Sequence, residues 1–198
     1  MPFTKIEFNI PNLASSIRFI LTPPLLILLA NTYYEEARSS FSFYGLSILI
    51  IFSIIIISDI FDGFIARKFN LESETGKQLD ILADFFYRIS LLFYFFIEGK
   101  INPLFLIAFT MIFLFFITGF TPFKFFKNDK LLYYTGKSVP FAVTMFLTLL
   151  LIEKFLPASA LIFKIEKIFK QATYLLCAVA LAVKFFCYSE KMWKITER

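Results

Sequence analysis

Apolar residues gather in six runs, at 13–30, 41–61, 78–97, 101–120, 139–155 and 172–188. Each run approaches the roughly 20 residues that a helix needs to cross a hydrocarbon layer of about 30 Å. The pattern predicts an all-α, polytopic membrane protein of six transmembrane helices behind a short N-terminal juxtamembrane segment, with residues 1–198 forming a single membrane domain. Arg18 and the pair Pro23-Pro24 interrupt the first run, and the polar stretch 67–77 separates the second from the third. The stretch 161–170 reads as an interfacial amphipathic helix ahead of the last span. Nothing at the start resembles a signal peptide, since a basic leader and a small-residue cleavage site are missing. An even number of spans puts both ends on one side of the bilayer. The larger share of Lys and Arg falls on that side, so both termini are expected in the cytoplasm, at the inner membrane if the chain is bacterial.

Composition agrees. Apolar residues make up 59% of the 198 positions and the mean hydropathy is +0.75, more than a soluble core of this size could hide. The basic balance, 20 Lys and Arg against 15 Asp and Glu, suits anionic headgroups or phosphate-bearing substrates, and no nucleic acid is expected as a partner. The chain holds no His. That excludes imidazole bases and His-ligated metals, and leaves proton transfer near neutral pH to a carboxylate, Lys, Tyr or Cys. Cys177 and Cys187 share one apolar run; ten residues apart on a helix they stand about 15 Å from each other, too far for a bridge, and read as packing thiols.

The informative stretch runs from 58 to 88. It holds Asp59, Asp62, Gly63, Ala66, Arg67, Gly76, Asp80, Asp84 and Arg88. An acidic residue at a span centre costs about 2.5 to 3.5 kcal/mol on insertion scales, so four of them in this stretch need compensation, most simply by cations. On a helix Asp59 and Asp62 are i, i+3 neighbours with Ala66 on the same face, while Asp80 and Asp84 are i, i+4 neighbours and Arg88 continues their stripe. A short linker makes the two helices antiparallel, so two carboxylate pairs can face each other across a cleft near the cytoplasmic surface. Carboxylates without His or Cys select hard cations, Mg²⁺ or Mn²⁺ and less readily Ca²⁺. Two such ions could clamp a pyrophosphate. Gly63 would let a substrate approach the backbone, Ala66 leaves space one turn on, and Arg67 offers a planar fork for phosphate oxygens.

The spacing Asp-x2-Asp-Gly-x2-Ala-Arg-x8-Gly-x3-Asp-x3-Asp, from Asp59 to Asp84, resembles the signature of the CDP-alcohol phosphatidyltransferase family with every signature position filled. The resemblance implies a six-helix membrane enzyme that transfers a phosphatidyl group from CDP-diacylglycerol to an alcohol and releases CMP, using a two-metal site of Mg²⁺ or Mn²⁺. It implies that Asp59, Asp62 and Asp80 are metal ligands, and that Asp84 is a ligand that also deprotonates the attacking hydroxyl. Gly63, Ala66, Arg67, Ser73 and Gly76 would serve the CDP-lipid. The segment Pro11-Asn12-Leu13, with Ser15 and Arg18, is similar to the entry segment of the branch holding phosphatidylglycerophosphate synthases and eukaryotic-type cardiolipin synthases. By that likeness Asn12 would meet the cytidine or its ribose, and the chain would be a homodimer.

On the acceptor side the chain departs from that branch. Ile81 and Phe85 stand where Pro and Lys are usual, the Arg-Glu pair of the fourth helix is missing, and Gly136-Lys137 is followed by Val139-Pro140 rather than Lys-Thr. Arg88, Lys124, Lys127 and Lys137 could still form a phosphate pocket. By the likeness of the N-terminal segment the acceptor is glycerol 3-phosphate in the first reading, against which these departures stand, and phosphatidylglycerol or inositol phosphate in the alternatives. Arg88 has a second reading as a neutraliser of the acids. For Arg18 the two readings are snorkelling to the interface and contact with substrate. The competing class is a cation- or proton-coupled transporter, against which stands the gathering of all the clustered acids in one third of the chain.

Overall fold

The structure, a computed structural model, describes residues 10–34, 43–69, 74–117, 130–155 and 160–196. All of them are helical except the turn at 98–102, and no strand occurs among the described residues. The helices are α1 Ile10–Tyr34, α2 Phe43–Phe69, α3 Glu74–Ile97, α4 Pro103–Ile117, α5 Lys130–Phe155 and α6 Ala160–Thr196. Each apolar run thus becomes one helix. Among the described residues three helices carry stretches long and apolar enough to cross a bilayer, Ser15–Thr32, Phe43–Phe61 and Ser138–Phe155. The 15 residues of α4 reach only about 22 Å.

The helices overshoot the apolar runs, because a helix can continue into the headgroup region, where water and polar groups satisfy its last carbonyls. α1 passes through Pro23 and Pro24 without a break, as membrane helices tolerate where neighbouring groups re-satisfy the freed carbonyls. Arg67 and Lys68 belong to α2 rather than to a linker, and Gly136 and Lys137 lie within α5 rather than in a loop. The stretch 161–170 is the beginning of α6, continuous with the last apolar run, not a separate interfacial helix. Its Glu166 is buried while Lys164, Ile165, Lys167 and Ile168 are exposed.

Two compact units divide the chain, 1–91 and 92–198. In the first, α1 packs on α2. Ser15, Arg18, Thr22, Leu25 and Leu29 are buried at alternating spacings of three and four, the stripe of a helix with one inward face. Ile48, Phe52, Ile55 and Ser58 form the corresponding stripe on α2, and Ala83 and Tyr87 are buried on α3. Phe19 and Phe86 bring α1 and α3 into ring contact at 5.4 Å. Ile50, Ile54 and Ile57 stay exposed, which costs nothing where the surrounding solvent is lipid.

In the second unit α6 packs on both α4 and α5. Phe105 stacks on Tyr174 at 4.4 Å, and Phe146 meets both rings edge-on at 6.1 and 6.3 Å. Cys177 is buried nearby in sequence on α6, as a packing thiol should be. Polar pairs tie the helix ends: Lys154 pairs with Glu98 and donates to the Tyr94 hydroxyl at 2.7 Å, and Lys100 meets Glu153 at 3.0 Å. α3 closes at Gly99, whose φ is +73°. The Gly99 amide donates to the Phe96 carbonyl and the Lys100 amide to the Phe95 carbonyl, both at 3.0 Å, which is the Schellman arrangement. Asn102 then caps α4, its Oδ1 accepting from the Leu104 amide at 2.9 Å, with Pro103 in the first helical position. No atom lies within 4 Å of a Cβ built on Gly99, so Gly99→Ala pays only for the left-handed backbone. The expected loss is about 1 kcal/mol, read as a lower midpoint of thermal unfolding in detergent; an unchanged midpoint would show that the turn does not need this conformation.

Candidate functional site

The site grows from three helices of the first unit. α2 supplies Asp59 one position after the buried Ser58, whose hydroxyl donates to the Ile55 carbonyl at 2.8 Å. α3 supplies Asp80, Asp84 and Arg88 on one stripe, as their i, i+4 spacing dictates. α1 supplies Arg18, on the same buried face as Ser15 and Thr22. Asp59, Asp80 and Asp84 each offer a carboxylate oxygen, and the three oxygens lie within 4.8 Å of one another.

Two guanidinium groups hold this cluster. Arg18 Nη1 donates to Asp59 Oδ1 at 3.2 Å and to Asp84 Oδ1, while its Nη2 donates to Asp80 Oδ1 and reaches Ser15 Oγ at 3.4 Å. Arg88 approaches from the other side, with Nη1 2.8 Å from Asp84 Oδ2 and Nη2 3.8 Å from Asp59 Oδ2. The Arg18 side chain is 0% exposed, whereas those of Asp59, Asp80 and Asp84 are 33%, 43% and 23% exposed. The carboxylates are therefore open to an incoming cation and the guanidinium groups lie beneath them. A buried guanidinium is tolerable here because carboxylates flank it; without them its desolvation would cost several kcal/mol.

The donor set fits a hard divalent cation. An ion holding oxygens at about 2.1 Å can span two of them by no more than about 4.2 Å, so the observed spread of up to 4.8 Å is closed by small side-chain rotations. Oxygen ligands alone suit magnesium-like ions.

Not every residue singled out in the sequence can be placed here. Asp62, Gly63, Ala66 and Arg67 continue α2 beyond Asp59, and Asn12 sits in the first turn of α1, but their side chains lie outside the described residues. Gly76 is half-buried in the first turn of α3. Ser73, Lys124 and Lys127 lie outside the described residues altogether, as does the side chain of Lys137 on α5. Arg88 is engaged with Asp84 and Asp59, as its neutralising reading requires.

The snorkelling reading of Arg18 is overturned. Its guanidinium points into the acid cluster and is fully buried, because three carboxylates compensate it better than the interface would. Its closeness to the acids is the feature that sequence reasoning missed. A signal existed: the four aspartates between 59 and 84 outnumber the one arginine of that stretch, and Arg18 is a permanent cation in the neighbouring apolar run.

Comparison with known proteins points the same way. A family model described as CDP-alcohol phosphatidyltransferase matches residues 8–186. A CDP-diacylglycerol–glycerol-3-phosphate 3-phosphatidyltransferase of Aquifex aeolicus is 40% identical over 98 residues, 48% of this chain and 49% of that protein. One of the same name from Rickettsia bellii is 35% identical over 80 residues, 40% of each chain. A cardiolipin synthase (CMP-forming) / mitochondrial hydrolase fusion protein of Schizosaccharomyces pombe is 34% identical over 83 residues, 42% of this chain and 12% of that one. The matched part spans about half of these relatives' length or less. With the family model running through nearly the whole sequence and three of the four signature aspartates gathered at one point, the chain belongs to the CDP-alcohol phosphatidyltransferase family.

Proposed function

We propose that the chain transfers a phosphatidyl group from CDP-diacylglycerol to an alcohol, with release of CMP, and that the acceptor is glycerol 3-phosphate, as in a phosphatidylglycerophosphate synthase. The observation that carries this reading is the convergence of Asp59, Asp80 and Asp84 in a member of this family whose matched relatives are named for that acceptor. Asp59, Asp62, Asp80 and Asp84 would hold two Mg²⁺ or Mn²⁺ ions, which when bound neutralise the pyrophosphate and stabilise charge at the phosphorus. Asp84 takes the proton of the acceptor hydroxyl as the new O–P bond forms and the P–O bond to CMP breaks. Arg88 holds Oδ2 of Asp84 at 2.8 Å and so fixes the carboxylate's rotation. Gly63, Ala66, Arg67, Ser73, Gly76 and Asn12 serve the CDP-lipid, and Arg88, Lys124, Lys127 and Lys137 the acceptor phosphate.

The site lies on the cytoplasmic side with both termini, as the distribution of Lys and Arg favours, and the working unit is a homodimer embedded in the bilayer. The test is CMP release by the purified chain given CDP-diacylglycerol, Mg²⁺ or Mn²⁺, and glycerol 3-phosphate, phosphatidylglycerol or inositol phosphate in turn. CMP is expected with glycerol 3-phosphate. CMP with phosphatidylglycerol alone would move the chain to the cardiolipin synthases. No CMP with any acceptor, together with metal-dependent ion flux in liposomes, would overturn the reading in favour of a transporter.

A further inference from the structure

Resting on the metal-dependent reading above, we infer that Arg18 is a built-in competitor of the divalent ion: it holds the three carboxylates together in the metal-free protein and must release them for metal to enter. One guanidinium donates to Oδ1 of Asp59, of Asp80 and of Asp84. Arg88 addresses the other oxygens, Oδ2 of Asp84 at 2.8 Å and Oδ2 of Asp59 at 3.8 Å. Both oxygens of Asp59 and Asp84 therefore already face a positive charge.

An ion ligated by Asp59 or Asp84 has to share oxygens with one guanidinium or the other. The Oδ2 atoms of Asp59 and Asp84 face Arg88, which can stay as an orienting group. The Oδ1 atoms are common to all three acids and all three belong to Arg18. An oxygen about 2.1 Å from a dication that also stays 3.2 Å or less from Arg18 Nη1 would bring two positive charges close together in a site where the arginine has no water to screen it. The repulsion decides the outcome: the guanidinium retreats or the ion is not held.

Burial sets the order of events. The acids are partly exposed and Arg18 is fully buried, so metal arrives from the solvent side and Arg18 withdraws along its own helix face. Ser15 Oγ, already 3.4 Å from Nη2 on that face, is an acceptor that Arg18 keeps as it withdraws. Linkage makes the effect reciprocal: by whatever factor Arg18 weakens metal binding, bound metal weakens the hold of Arg18 on the acids. The gain from this arrangement is a metal-free site whose acids do not drive α2 and α3 apart by their own repulsion.

The test measures Mn²⁺ itself, by paramagnetic resonance of the free ion titrated into the purified full chain in detergent micelles, with wild type, Arg18→Gln and Arg18→Lys compared. Arg18→Gln is expected to bind Mn²⁺ about tenfold or more tighter than wild type, within the usual range for coupled sites, and to melt at a lower temperature in EDTA. Arg18→Lys keeps the charge but loses the planar fork, so its affinity falls between the two. Where Arg18→Gln does not fold, the sign of the change in Arg18→Lys decides. Mn²⁺ affinity that is unchanged or weaker in the variants overturns the inference and leaves the metal site standing. Absence of Mn²⁺ binding in wild type and variants alike overturns the metal-dependent reading together with it.

Discussion

Asp84→Asn is expected to lower kcat for CMP release by about 10³-fold or more while changing the KM for CDP-diacylglycerol only a few-fold. A positioned base contributes about 10² to 10⁴ in rate, and here the same carboxylate is also a proposed metal ligand. Asparagine keeps the size of the side chain and one oxygen acceptor, so either Arg18 or Arg88 retains a partner at this position, whereas wild type serves both at once. It cannot accept a proton from an alcohol. With no His anywhere in the chain, no neighbouring imidazole can take over the role. The measurement is initial-rate kinetics of CMP release, with thermal unfolding in detergent as the control for integrity. Turnover equal to wild type would remove Asp84 as the base; a large rise in KM with kcat unchanged would make it a binding residue only.

The acids were legible in the sequence because their geometry is local. Asp80, Asp84 and Arg88 share a stripe by helix periodicity, and the linker to α2 is too short to send Asp59 anywhere but alongside them. The stripe follows from spacing alone, and the approach of Asp59 to within 4.8 Å of it adds only the face that α2 turns toward α3. Arg18 is different. Its partners lie 41, 62 and 66 residues away in the chain, and nothing in the local pattern says which face of α1 meets α3. Reading the buried stripe of α1 from Ser15 to Leu29 would have put Arg18 inward, but that stripe is defined by what packs on it. The helix ends were hidden for another reason. Lys130 to Lys137 and Leu161 to Lys170 are polar or amphipathic, and hydropathy marks where apolar sequence stops, not where backbone hydrogen bonding does. The turn at Gly99 and the cap at Asn102 carry ordinary local signals, Gly at a helix end and Asn before Pro, which fix the α3–α4 connection without help from distant residues.

Asp59→Asn is expected to act on the metal rather than on the proton, weakening Mn²⁺ binding on the order of 100-fold, at the upper end of what even outer-shell changes cost at metal sites. The apparent KM for CDP-diacylglycerol should rise with it, because the pyrophosphate is held by whatever the acids hold. Raising Mn²⁺ should then restore much of the activity, which it should not do for Asp84→Asn. This difference separates a ligand from a base in the same assay. Asp59 also accepts from Arg18 at 3.2 Å, so its loss takes away one of the three carboxylates that Arg18 holds. The two changes must therefore fail to add. Arg18→Gln alone tightens Mn²⁺ binding, Asp59→Asn alone weakens it, and the benefit of removing Arg18 is smaller in the double variant, where Arg18 already holds one acid fewer. A double variant whose affinity is the product of the two single effects would show that Arg18 and Asp59 act on the metal independently, contrary to the contact between them.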